Sequence, residues 1–133
     1  MDKIILPRIV YQSVVNHVTK NLPEEACGLL AGNNNKVTIA IPISNQLHSR
    51  VKYFMEPVEL LKGLEKIEAE QLDLLAIFHS HPEGPFRPSE TDVKEFLYPG
   101  VATIICSPIN ENWMLKSFMI ENDHYHEIEL VLV

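Results

Sequence analysis

The chain has 133 residues, enough for one domain with a real core and far short of scaffolds such as an (α/β)8 barrel at about 250 residues. An apolar share of 46% and a charged share of 22% exclude a disordered chain, a collagen-like fibre and a disulfide-stapled peptide. With 11 basic against 18 acidic residues, a formal net charge of −7, binding to nucleic acid or to an anionic membrane surface is not expected, because both need clustered Lys and Arg.

In chain order, MDKIIL is too short an apolar stretch before Pro7 and Arg8 to be a secretory leader. Pro7 opens a helix to about Lys20, with Val10, Val14 and Val18 on one face. Asn21-Leu22-Pro23 stops it. Cys27 to Ala31 reads as a buried strand, closed by Gly32-Asn33-Asn34-Asn35. That turn leads into a second strand, Lys36 to Ile43, and the two form a hairpin. Residues 44–52 are irregular, and 53–55 suggest a short strand. Pro57 opens an amphipathic helix to about Gln71 with an apolar stripe of Leu60, Leu61, Leu64 and Ile67. Leu74 to Phe78, apolar without alternation, suits a strand covered on both faces and is far too short to span a bilayer. Residues 82–88, with three prolines and a glycine, form a loop. Ser89 caps a short helix to about Tyr98, ended by Pro99-Gly100. Strands follow at Val101 to Cys106, Trp113 to Ile120 and His124 to Val133. The order interleaves strands and helices around one mixed sheet with an antiparallel end. The fold class is α/β (α+β), a partly antiparallel central sheet flanked by helices.

Two cysteines, Cys27 and Cys106, make neither a disulfide framework nor a C-x-x-C pair. Buried free thiols in a reducing, cytoplasmic setting are the expectation.

The chemistry concentrates in His79-Ser80-His81-Pro82, straight after the most apolar strand. Residues i and i+2 of a strand share a face, so His79 and His81 can hold one metal ion. An exposed histidine pair at a strand end is the plain alternative. Ser89 and Asp92 follow as S-x-x-D. This spacing describes a capping box, yet a carboxylate in the first helical turn can also point back at the histidines. Two His and one Asp would leave a fourth tetrahedral position for water, as in catalytic rather than structural zinc sites. Such a site needs a proton carrier. Glu24 and Glu25 are candidates, and Glu24 fits a solvated surface charge. His48 and Ser49 either border a substrate groove or are ordinary loop polarity. His124-Tyr125-His126 has no S-x-x-D after it and reads as a strand start. Trp113 reads as an amphipathic strand anchor.

Glu25-Ala26-Cys27-Gly28-Leu29-Leu30-Ala31-Gly32, then His79-Ser80-His81-Pro82, then Ser89 and Asp92 resemble the JAMM (JAB/MPN+) metalloprotease signature: E, a variable gap, then H-[S/T]-H-x7-S-x2-D. Seven residues separate His81 from Ser89 and two separate Ser89 from Asp92, so each position is filled. The resemblance covers the whole chain and implies a single catalytic domain, residues 1–133, of the JAB/MPN (cytidine deaminase-like) fold. It implies His79, His81 and Asp92 as Zn2+ ligands, Glu25 as general acid/base and Ser89 as a hydrogen-bond donor to the developing oxyanion. The implied activity is that of a zinc-dependent peptidase or isopeptidase. Its implied substrate is the C-terminal Gly-Gly region of a ubiquitin-like or sulfur-carrier protein, entering in extended form. The 46 residues between Gly32 and His79 leave little room for long insertions around the groove. The alternative is a non-catalytic binding or scaffold module on the same fold. A deaminase would need H-x-E with P-C-x-x-C, which is missing. A non-haem iron oxygenase uses two His and a carboxylate in another order.

Overall fold

A computed structural model describes residues 1–133 as seven strands and three helices. Strand β1 spans Lys3–Leu6, helix α1 Arg8–Lys20, β2 Cys27–Asn33, β3 Lys36–Ile43 and α2 Pro57–Ala69. They are followed by β4 at Asp73–Ser80, α3 at Glu90–Lys94, β5 at Ala102–Ile109, β6 at Asn112–Glu121 and β7 at His124–Leu132. The strands close into a ring in the order β1-β3-β2-β4-β5-β6-β7. The ring is mixed: β1 runs parallel to β3 and β7, and β4 parallel to β5, while the other pairs are antiparallel. No helix is long and apolar enough to cross a membrane.

Closure depends on β1, which the sequence pattern does not announce. Lys3 to Leu6 pair with Glu129 to Leu132, and Ile5 meets Lys36. A four-residue strand whose partner is the far end of the chain has no local signature.

Side-chain alternation in β2 and β4 divides the apolar interior in two. Leu30, Ala76 and Phe78 join Val10, Val14 and Val18 of α1 in the larger cluster, with Ile4 and Leu6 of β1. Cys27, Leu29, Ala31 and Ile77 join Ile43, Met55 and Ile67 in the smaller one beneath α2. Strand β4 therefore buries every residue from Leu75 to Ser80, as its unalternating composition indicates. Glycine has a steric role at Gly28: a Cβ there would overlap the Phe78 ring and crowd the Ile41 carbonyl. Trp113 anchors β6 to α1: its indole N–H donates to Thr19 Oγ1 at 2.9 Å, and its carbonyl accepts from the Tyr11 hydroxyl at 3.1 Å.

Three local expectations are corrected. Residues 53–55 form no strand, only a single bridge from Met55 to Asn45, because the Phe54 N–H is taken by the Asn45 side chain at 3.1 Å. Leu61 is exposed rather than part of the buried stripe of α2. A Cβ at Gly63 would come within 3.1 Å of Leu29, so the glycine lets the helix axis lie close and centres its contact on residues 60, 63, 64 and 67. Helix α3 ends at Lys94, not Tyr98; it buries none of its own residues, and the chain turns so that Tyr98 packs into the smaller cluster.

The tightness at Gly28 yields a prediction. Gly28→Ala is expected to lower stability by about 2–3 kcal/mol through overpacking against Phe78, read as a shifted urea midpoint with unchanged slope.

Candidate metal centre

Four separate segments build the site. Strand β4 ends in His79 and Ser80, and His81 follows it. Strand β2 pairs antiparallel with β4 in the register Cys27 to His79, so the residues just before β2 lie opposite those just after His79. Two hydrogen bonds carry the register past the strand end: Ser80 N–H to Ala26 O at 2.9 Å and Ala26 N–H to Ser80 Oγ at 2.8 Å. The next pair in that register is Glu25 with His81. The central serine of the H-S-H motif therefore positions the glutamate, a role the motif spacing alone does not disclose.

His79 Nε2, His81 Nε2 and Asp92 Oδ2 form a triangle with every side 3.1 Å. Zinc about 2.0–2.1 Å from each of four tetrahedral ligands separates them by about 3.3 Å, so the three atoms are close to the required spacing. The ring of His81 is oriented from behind, its Nδ1 2.9 Å from the Pro85 carbonyl. That contact makes Nδ1 a donor, so that in the neutral imidazole, the form that binds a metal, the Nε2 lone pair faces the triangle. His79 lacks such a partner: its Nδ1 is buried without a hydrogen bond. The Tyr53 ring lies against its imidazole instead, centroids 4.5 Å apart and planes at 30°. The donor set of two imidazole nitrogens and a carboxylate oxygen fits a divalent ion.

Asp92 satisfies both readings of S-x-x-D at once. Ser89 Oγ accepts from Asp92 N–H at 3.0 Å, and Asp92 Oδ2 accepts from Ser89 N–H at 2.8 Å, a complete capping box. The same Oδ2 faces both histidines. Burial works against its charge, but the hydrogen bonds from His79, His81 and Ser89 outweigh burial and hold the carboxyl well below the usual range. Burial lowers His79, against the pull of Asp92. In His81 burial acts the same way but loses to the hydrogen bonds with Asp92 and Pro85, leaving it raised.

Glu25 is buried, with a carboxylate oxygen within 4.8 Å of the imidazole nitrogens. Burial pushes its carboxyl up to about 8; His81 opposes the shift and Asp92 adds to it. Its backbone is held on both sides, N–H to Ser49 O at 2.8 Å and carbonyl from Asn45 Nδ2 at 3.0 Å. Glu24 instead meets His48 at 3.1 Å on the surface. Ser49 serves the site through its backbone carbonyl. Both thiols are buried and free; burial pushes Cys27 up to about 12 and raises Cys106 too, which disfavours the nucleophilic thiolate in each. His124 and His126 are exposed at the start of β7.

An apolar cleft of about 480 Å³ opens beside His79, Ser89 and Asp92. Tyr53, Phe54, Leu60, Phe96, Leu97 and Tyr98 are among the residues that line it. Sequence reasoning missed Asn45, Tyr53 and the Pro85 carbonyl. The only signal was an asparagine and an aromatic within a polar irregular stretch.

The family model described as prokaryotic homologs of the JAB domain matches residues 7–121. The chain belongs to the prokaryotic JAB family. Among its JAB relatives, a desampylase of Pyrococcus furiosus is 32% identical over 130 residues, covering 97% of this chain and 90% of that protein. A probable TtuB-protein conjugate cleaving protease of Thermus thermophilus is 41% identical over 93 residues. That match covers 69% of this chain, which spans only 62% of the Thermus protein's length. A solved structure from Desulfitobacterium hafniense superposes with a TM-score of 0.87 at 31% identity, covering 98% of this chain and 92% of that one. The JAB fold is thus the one the sequence led us to expect.

Glu25 gives a test within this JAB domain. A carboxyl raised on folding contributes stability that is complete below its unfolded value and is lost as pH rises through its folded one. Metal-free Glu25→Gln is therefore expected to melt several degrees above the metal-free parent at about pH 9 and close to it at about pH 4.5. Parallel melting curves across that range would contradict the burial argument.

Proposed function

We propose that this chain is a zinc-dependent peptidase or isopeptidase of the JAMM type, its 133 residues forming one catalytic domain. The observation that carries this reading is the 3.1 Å triangle of His79, His81 and Asp92 with the buried Glu25 carboxyl beside it. His79, His81 and Asp92 would hold the ion. When bound, zinc polarises the scissile carbonyl and lowers the pKa of a bound water to about 7.

The chain's own residues do the rest. Glu25, raised to about 8, takes a proton from the attacking water and returns it to the leaving nitrogen as the C–N bond breaks. The products are a free carboxylate and an amine. Ser89 Oγ already accepts from Asp92 N–H, so its hydroxyl proton is left to donate to the carbonyl oxygen as charge develops. The walls of the apolar cleft exclude water and receive an extended chain.

The substrate is the C-terminal tail of a ubiquitin-like or sulfur-carrier protein, cleaved after Gly-Gly. The names of the relatives, a desampylase and a protein-conjugate cleaving protease, support a conjugate as the target. Two buried free cysteines accord with work in the cytoplasm.

The direct test is incubation with a small Gly-Gly-ending protein carrying a C-terminal extension, read by intact mass together with metal analysis. A protein that holds no zinc, and whose melting temperature a chelator leaves unchanged, would sink the reading. Glu25→Ala is expected to keep its metal and lose at least about 10³-fold in turnover. His81→Ala is expected to lose the metal, and retained stoichiometric zinc would reassign the ligand set. Glu24→Ala is expected to stay within about two-fold of the parent, as surface ion pairs contribute little.

A further inference from the structure

The two histidines of the centre are held in different ways. His81 is fixed by a hydrogen bond from Nδ1 to the Pro85 carbonyl at 2.9 Å, and Ser107 Oγ donates to that same carbonyl at 3.2 Å. His79 Nδ1 has no partner. Its Nε2 meets Asp92 at 3.1 Å, but that contact holds only the tip of the ring, and no hydrogen bond behind it fixes the ring plane. Something else must fix the plane of the ring behind that tip.

We infer that Tyr53 is a positioning residue for His79, its ring doing by flat contact what the Pro85 carbonyl does for His81 by hydrogen bonding. The phenol lies over the imidazole with centroids 4.5 Å apart and planes 30° apart. The imidazole also meets the His81 ring, centroids 4.9 Å apart and planes at 60°. Rotation of the His79 ring would drive its edge into the Tyr53 face.

Tyr53 can act as a wall only if its own backbone is fixed, although it lies in an irregular segment. Asn45 fixes it. Its single amide binds both peptide groups that flank Tyr53: Nδ2 donates to Lys52 O at 3.0 Å, and Oδ1 accepts from Phe54 N–H at 3.1 Å. The same Nδ2 donates to Glu25 O at 3.0 Å. Asn45 is buried, so these bonds replace water contacts and are costly to lose. One buried amide thus ties the residue that orients His79 to the glutamate beside the triangle. The contact that matters is the ring face; the Tyr53 hydroxyl makes no hydrogen bond that the mechanism uses.

This inference rests on the metal-centre reading, and its test separates the two. Full-length parent, Tyr53→Ala, Tyr53→Phe and Leu47→Ala are stripped of metal and titrated with Co2+ against a competing chelator. The d–d absorption reports ligand geometry. Tyr53→Ala is expected to lose about 10- to 100-fold in affinity and to show a weakened, shifted d–d band. Tyr53→Phe, which keeps the ring, and Leu47→Ala, an exposed change in the same segment, are expected to match the parent within about two-fold. Parental affinity in Tyr53→Ala overturns the proposal. So does equal loss in Tyr53→Phe, which would assign the effect to the hydroxyl, or in Leu47→Ala, which would assign it to general loosening. NMR of the His79 ring in the metal-free proteins is the second measurement, expected to show one ring-current-shifted set of signals that collapses only in Tyr53→Ala. If the parent binds no divalent ion, the peptidase reading falls, and the ring signals alone decide: unchanged signals in Tyr53→Ala reject Tyr53 as the restraint, while their collapse upholds it.

Discussion

The pairing between Ala26 and Ser80 governs the distance between the two ends of the chemistry. Their two hydrogen bonds, 2.8 and 2.9 Å long, extend the β2–β4 ladder by one step beyond its regular part. That step sets Glu25 against His81. A slip of one residue would turn Glu25 to the opposite face of the sheet, because side chains alternate with a period of two. Register is secured by what lies behind it: Gly28 accepts the Phe78 ring, and Leu30, Ala76 and Phe78 alternate into the larger core. The place of the Glu25 carboxyl is thus fixed by the packing of residues remote from the triangle.

Asp92 shows how one side chain serves stability and chemistry together. Its carboxylate caps a helix of only five residues, too short to be stable on its own. Burying a charge is unfavourable unless it is paired, and Asp92 Oδ2 has three donors or cations arranged around it. The low proton affinity that follows keeps it negatively charged beside the two histidines. Glu25, buried without an equivalent set of donors, goes the other way and holds a proton more tightly. Two carboxyls within one site are driven apart by their surroundings, the division of labour that acid–base chemistry at neutral pH needs.

Irregular backbone carries as much of the site as the strands do. Residues 44–55 contain no strand or helix, yet the Asn45 amide makes bonds to Glu25, Lys52, Phe54 and Leu47. A buried amide satisfied in this way fixes a loop as firmly as a ladder fixes a strand. The segment can therefore form one side of the cleft while Tyr53 rests on His79.

By itself the sequence determined the element types along most of the chain, the single mixed sheet and the motif residues. Periodicity in α1, the Asn34-Asn35 hairpin turn and the unbroken apolar run of β4 are local signals, and H-S-H-x7-S-x2-D is a pattern of fixed spacing. The tertiary structure alone decided the closure of the sheet by β1, the exposure of Leu61 and the early end of α3, since each depends on what packs against the segment. It also supplied the physical reason why Glu25, which the motif already singled out, faces the histidines while Glu24 does not. Glu24 and Glu25 are adjacent and alike in composition; the β2–β4 register buries one and leaves the other against His48 at the surface. The roles of Asn45 and Tyr53 were equally hidden, because a hydrogen bond or ring contact between distant segments has no period or spacing in the chain.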